Sequence, residues 1–180
     1  MAQVLIGALA VLIFAIPILA AGTVEWGQPV TGLRLSISIP PTDASANREV
    51  QVTLENVGDQ NLLVPIGAVA GTAHPALMIY TTTADGKTHR ILQGGSPGVA
   101  GAMKPWNISL RAQESYTVRM PIRSYFALDG SEQLETLILR RCQLWVELDQ
   151  QSAECPVSNK LTRLPCWHGK VDSNTLRLPN

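Results

Sequence analysis

From residue 33 onward this chain is ruled by an alternation of period two, and that pattern restricts it to β-strands with one buried face. Leu33, Leu35, Ile37 and Ile39 share one side of GLRLSISI before Pro40-Pro41 ends the run. Val50, Val52 and Leu54 repeat the pattern, Asn56-Val57-Gly58-Asp59 supplies a turn, and residues 61–66 read as the return strand. Residues 76–82 and 88–92 flank Ala84-Asp85-Gly86-Lys87, a hairpin signal because Asp-Gly accepts the positive φ of a tight turn. Further strands are expected at 106–110, at 116–122 (Tyr116, Val118, Met120, Ile122), at 137–148 as the longest, and at 167–178 as the last. Residues 124–135 read as irregular. Eight or nine strands with turns between them predict an all-β domain, an antiparallel sandwich of immunoglobulin type. Uneven strand and loop lengths argue against a closed barrel.

Ahead of this pattern lies MAQVLIGALAVLIFAIPILAAG, without one charged side chain. The 19 residues from Val4 to Gly22 reach about 28 Å as a helix, close to the roughly 30 Å of a hydrocarbon core. A single transmembrane helix is therefore expected over 1–22, followed by a juxtamembrane linker at 23–32 and the sandwich at 33–180. A cleaved signal peptide is the alternative. Ala20-Ala21-Gly22 offers small residues for cleavage, but the basic n-region is missing and the apolar run exceeds a usual h-region. The nearest basic residue, Arg34, is too far to orient the span strongly. The domain is placed on the periplasmic or extracellular side, with secretion as the alternative.

The 14 basic and 14 acidic residues balance to zero with no basic run, which argues against nucleic-acid partners. Three cysteines in an oxidising compartment allow one bridge and one spare thiol. Cys155 and Cys166 bracket a ten-residue loop, CPVSNKLTRLPC, and a bridge there would stabilise by about 3 kcal/mol in the loop-entropy picture. Cys142 alternates in phase with Leu144, Val146 and Leu148 and reads as a small core hydrophobe. A Cys142–Cys166 bridge is the runner-up.

Chemistry-bearing constellations are sparse. His74, His89 and His168 are scattered, and only Cys166-Trp167-His168 sets two ligand types close together. A metal carrier or enzyme built on that pair is the least supported reading, so no catalytic residue, metal or cofactor is assigned. GGSPGVAGAMKP lacks both the spacing of a nucleophile elbow and the Lys-Ser/Thr end of a phosphate loop. Its glycines, Gly94, Gly98 and Gly101 among them, suit a plain flexible loop, with a loop that contacts a partner as the alternative. Asn56 and Asp59 read as residues that cap their own turn, and Ser173-Asn174 as a bulge or sheet-edge device. Trp26, four residues past the apolar segment, suits either the headgroup region or packing beneath the first strand. Trp145 is out of phase with the core positions beside Gln143 and Glu147. It serves either as an exposed interface anchor or as packing under the glycine-rich loop.

Five stretches, WGQPVTGLRLSIS, VTLENVGDQNLLV, the DGK hairpin, RAQESYTVRMPI and WHGKVDSNTLRL, resemble a group of bacterial extracytoplasmic β-sandwich domains without assigned function. The layout is also similar to that of the intracellular proteinase inhibitors of bacilli. The resemblance covers most of residues 26–178 and is carried by turn chemistry, so it implies fold and no active site. Taken with the apolar segment, the expectation is a non-catalytic accessory subunit of a bacterial membrane complex. Its partners would be the other subunits, and the lipid bilayer through residues 4–22. A secreted, inhibitor-like binding module is the alternative.

Overall fold

The computed structural model describes residues 24–40, 48–66, 77–93, 107–127, 133–139, 142–151 and 164–177. They form a mostly β structure in which the strands of each sheet run antiparallel. The strands are β1 (Leu33–Ser38), β2 (Glu49–Asn56), β3 (Leu62–Pro65), β4 (Leu77–Thr82), β5 (Thr88–Gln93), β6 (Asn107–Leu110), β7 (Ser115–Pro121), β8 (Tyr125–Ala127), β9 (Gln143–Gln150), β10 (Gly169–Asp172) and β11 (Leu176–Arg177). One short α-helix, α1, covers Leu134–Leu139, and a 3-10 turn covers Ile122–Ser124.

The smaller sheet has the order β1-β2-β7 and the larger the order β10-β9-β4-β5-β8, with β11 also on β9; β3 and β6 pair separately. Alternation explains the core. Leu33, Leu35 and Ile37 of β1, Val50, Val52 and Leu54 of β2, and Val118 and Met120 of β7 are all buried. They join Ile79 of β4, Ile91 of β5, Leu144, Val146 and Leu148 of β9, and Val171 of β10 in one apolar cluster. Each fully buried aliphatic side chain there contributes roughly 1.5–3 kcal/mol of transfer free energy.

The Asp85-Gly86 hairpin forms as expected. Gly86 has φ +81°, and Thr82 lies opposite Thr88. Hydrogen bonds from the Thr83 hydroxyl and then the Lys87 backbone hold the Asp85 carboxyl below its ordinary pKa.

Three strand expectations are corrected. Residues 61–66 do not return along β2. β2 is flanked by β1 and β7, and β3 pairs with β6. The start of the expected long strand at 137–148 is instead α1, because Leu134, Leu137 and Ile138 are buried at the i, i+3, i+4 spacing of a helix rather than at alternate positions. That helix, together with β8, also gives regular structure to the two ends of the stretch read as irregular; residues 128–132 lie outside the described residues. The last strand, expected to be unbroken, splits into β10 and β11 at Ser173-Asn174-Thr175.

The split does structural work. The Ser173 hydroxyl accepts the N–H of Val146 (2.9 Å) and donates to the Asn174 carbonyl (2.7 Å). The Asn174 side chain leaves its own sheet and bonds to β1 in the other one: Ile37 N–H donates to Oδ1 (2.7 Å), and Nδ2 donates to the Ile37 carbonyl (3.2 Å).

Asn56 organises one end of the molecule. It is fully buried, and its Nδ2 donates to the carbonyls of Gln60 (2.7 Å) and Arg111 (3.0 Å), while Oδ1 accepts the Gly58 N–H (3.0 Å). It thus caps its own turn and also ties that turn to the β6–β7 turn. From there Gln113, a non-glycine residue at φ +63°, donates through Nε2 to the carbonyls of Val57 and Gly58.

The stretch expected to be a linker, 23–32, is folded back on the domain over its described part. Gly27 N–H donates to the Leu35 carbonyl (2.8 Å), and Val30 and Leu33 exchange hydrogen bonds across a tight turn at Thr31-Gly32. Trp167, 1 % exposed, is the largest fully buried side chain, and its indole N–H donates to the Val30 carbonyl (3.1 Å). Among the described residues no helix is long and apolar enough to cross a membrane. The expected span at 4–22 lies outside them.

Candidate interaction surface

The solvent face of the larger sheet follows from the same alternation. If Ile79 and Thr81 of β4 and Leu144, Val146 and Leu148 of β9 point inward, then Met78, Tyr80 and Thr82 and Gln143, Trp145 and Glu147 point outward. Antiparallel register sets Tyr80 directly opposite Trp145. Their rings stack with centroids 5.5 Å apart and planes 12° from parallel, a geometry that adds about 0.5–1.5 kcal/mol to the area buried. Both side chains remain half-buried.

Charge frames this aromatic pair. Lys170 Nζ lies 2.8 Å from Glu147 Oε2, and that bond raises the lysine's affinity for its proton. Asp172 lies opposite Glu147 in the ladder. Partial desolvation of its carboxyl, and then repulsion from Glu147, push the Asp172 pKa up, although the side chain as a whole is exposed. The Tyr80 phenol is shifted up as well, first by burial and then by Glu147. Beside the stack a shallow depression of about 360 Å³ is lined by Thr82, Gln143, Trp145, Asp172, Ser173 and Thr175. An aromatic pair inside a polar, charged rim is the composition of a contact surface. It sets no nucleophile against a base.

The other expected site residues are dispersed. Trp26 is half-buried under the Arg34 guanidinium, 4.4 Å from ring centroid to charge. Arg34 in turn holds Glu55 at 2.7 Å. This is packing along the first strand, one of the two alternatives left open for Trp26. Trp145 does stand off the core face, but it leans on Tyr80 rather than standing alone. Gly94, Gly98 and Gly101 lie outside the described residues, so packing of Trp145 under their loop lies outside them too.

Cys142 is a free, buried thiol, which removes the Cys142–Cys166 alternative. Cys166 is held in a disulfide; Cys155, its expected partner, lies outside the described residues. Burial pushes the Cys142 thiol up, with Thr81 partly offsetting it. In the Cys166-Trp167-His168 triplet the tryptophan is buried and the histidine exposed. Among the described residues no three His, Cys, Asp or Glu side chains converge as metal ligands would.

Sequence reasoning missed Tyr80 as the partner of Trp145, since alternation assigns a face and not a neighbour. It also missed the reach of Asn174, for which Ser173-Asn174 was the only signal. No protein-family model matches the chain, and neither a curated protein nor a solved structure matches it.

Proposed function

We propose that this chain is a non-catalytic accessory subunit of a larger bacterial membrane complex. Residues 4–22 anchor it in the bilayer, and an immunoglobulin-like sandwich on the extracytoplasmic side makes protein–protein contacts. The strand orders support the finer fold. With β1, β2, β7 read as A, B, E and β10, β9, β4, β5 as G, F, C, C′, the strand orders support an immunoglobulin-like reading, to which β8 beside β5 and the β3–β6 pair are additions. The observation that carries the contact reading is the Tyr80–Trp145 stack, half-buried on the solvent face of a sheet and framed by Glu147, Lys170 and Asp172. The charge-free 4–22 segment supports the membrane side of the reading.

The test is site-specific photocrosslinking in native membranes, with the probe at Gln143, next to the stack. A discrete higher-mass adduct that disappears in Trp145→Ala is the expected result. A chain that stays uncrosslinked and purifies alone from detergent overturns the reading. The small residues Ala20-Ala21-Gly22 support a second reading, a secreted binding module. The intact mass of the mature protein separates the two, because loss of about 22 residues at the N-terminus is expected only for a cleaved signal.

A further inference from the structure

The two edges of the smaller sheet are treated differently. On β1 five of the six outward-facing backbone groups of Leu33, Leu35 and Ile37 have partners. Leu33 exchanges bonds with Val30, the Leu35 carbonyl accepts the Gly27 N–H, and both groups of Ile37 bond to the Asn174 side chain. On β7, the opposite edge, no described residue pairs with the outer side.

Hydrogen bonds at the two ends of the β2–β7 ladder fix which groups are left over. Asn56 N–H donates to the Glu114 carbonyl at one end, and Ile122 N–H to the Arg48 carbonyl at the other. An antiparallel ladder alternates, so Tyr116, Val118 and Met120 bond to β2. The N–H and C=O groups of Ser115, Thr117 and Arg119 therefore point away from it.

The side chains agree with an open edge. Ser115, Tyr116, Thr117 and Arg119 are exposed. Tyr116, 41 % exposed, is one of only two exposed large hydrophobics among the described residues, although it shares the phase of the buried Val118 and Met120. Pro121 and Arg119 blunt only one end of the strand, and no bulge or proline interrupts its middle.

We propose that β7 pairs antiparallel with the β7 of a second copy of this chain, about a two-fold axis at Thr117. Thr117 then lies opposite its own copy. This extends the row in which the Thr53 and Thr117 hydroxyls already meet at 3.0 Å, and cross-strand threonine pairs are favourable. Ser115 lies opposite the second copy's Arg119, so like charges do not meet as they would with the axis at Arg119. Tyr116 lies beside the second copy's Val118 and is covered. The three-stranded sheets of two molecules merge into one of six strands. The zero net charge of the chain adds no long-range repulsion between copies. The contact is small, below about 1,200 Å² in total, which places it among weak associations. It uses the sheet opposite the Tyr80–Trp145 surface and does not depend on the function proposed above.

Sedimentation equilibrium of the full-length chain in detergent tests the pairing. A monomer–dimer equilibrium with a dissociation constant on the order of 10–100 μM is expected. Thr117→Pro removes an outward N–H and leaves the backbone bonds to β2 intact, losing there only the exposed hydroxyl contact to Thr53, so it is expected to weaken the dimer at least tenfold. Cysteine trapping covers the case in which that variant misfolds. A residue on the axis faces its copy at about 5.5 Å between Cα atoms, within disulfide range. Thr117→Cys is thus expected to cross-link under mild oxidation, while Ser115→Cys is not. A chain that is monomeric at 100 μM, or a Thr117→Cys variant that cross-links no faster than Ser115→Cys, overturns the proposal.

Discussion

Asn174 grips Ile37 with both arms of its amide, across 137 positions of sequence and from one sheet to the other. The residue that breaks the last strand in two is therefore also a tie between the sheets. It acts as a one-residue substitute for a strand, offering an acceptor and a donor where β1 would otherwise meet solvent.

Replacing that amide separates its two bonds. Asn174→Ala is expected to destabilise the domain by about 1–3 kcal/mol, since partly buried groups of Ile37 lose their partners. Asn174→Asp keeps the acceptor for the Ile37 N–H but sets a carboxylate against the Ile37 carbonyl, so it should recover little or none of the loss. Urea denaturation with an unchanged m-value is the measurement. An alanine variant as stable as the parent would show that the tie contributes nothing.

Asn56 presents a stricter case because it is fully buried with all of its polar atoms engaged. Asn56→Ala leaves the Gly58 N–H and the Gln60 and Arg111 carbonyls without that partner. A loss of about 2–4 kcal/mol is expected. Hydrogen exchange should show Gly58 and Gln113 losing protection before the strands do.

Gln150 runs the other way. Its side chain is 1 % exposed, and among the described residues neither amide atom has a hydrogen-bond partner. Gln150→Leu keeps the volume and removes the desolvation penalty, so a gain of about 1–2 kcal/mol is expected. Thermal unfolding decides it, and a lowered Tm would mean that the amide has a partner in solution.

The strands that could be read from residues alone are those whose burial depends only on phase. In β1, β2, β4 and β7 the alternating residues turn one side to the core, and the Asp85-Gly86 turn announces its own hairpin. Pairing partners were a different matter. Nothing within residues 61–66 distinguishes a return along β2 from a partnership with Asn107–Leu110, because both strands alternate buried apolar residues with more exposed ones. The stretch from Leu134 to Cys142 carries helical and alternating spacings together, and packing decided for the helix over its first half. Polar ties such as Asn56 to Arg111 or Asn174 to Ile37 depend on which loops meet in space, which period and composition do not encode. For the contact surface, Trp145 was legible as off-core, whereas its support by Tyr80 required the register.

Asp172 and Cys142 give pH signatures of the same sign in different windows, because both acids are shifted up. A carboxyl whose folded pKa lies above its unfolded value of 3.8 binds its proton more tightly when folded. It therefore costs stability at neutral pH, and the cost vanishes as the pH falls below 3.8. Asp172→Asn should stabilise slightly at pH 7, by about 0.5 kcal/mol or less given solvent screening, and the difference should close below pH 3.8.

The Cys142 thiol, raised above 9.0 by burial, costs nothing at pH 7. Above pH 9.0 the unfolded chain releases the proton more readily, and stability declines. Cys142→Ala is expected to be less stable at pH 7, by the size of its cavity, yet to decline less steeply between pH 9 and 10. Parallel slopes for the two proteins in a pH series of unfolding midpoints would contradict this.

Because Asn174 closes β1, that strand is finished only by a segment made 137 positions later. A ribosome-bound chain cannot complete the sheet that opens the domain until residues 173–177 have emerged. Until then β1 presents an open edge to whatever is near, as β7 does among the described residues. Such long-range closure slows folding and makes residues 173–177 quality-determining: a chain truncated before Ser173 would retain most of its core residues and still lack its clasp.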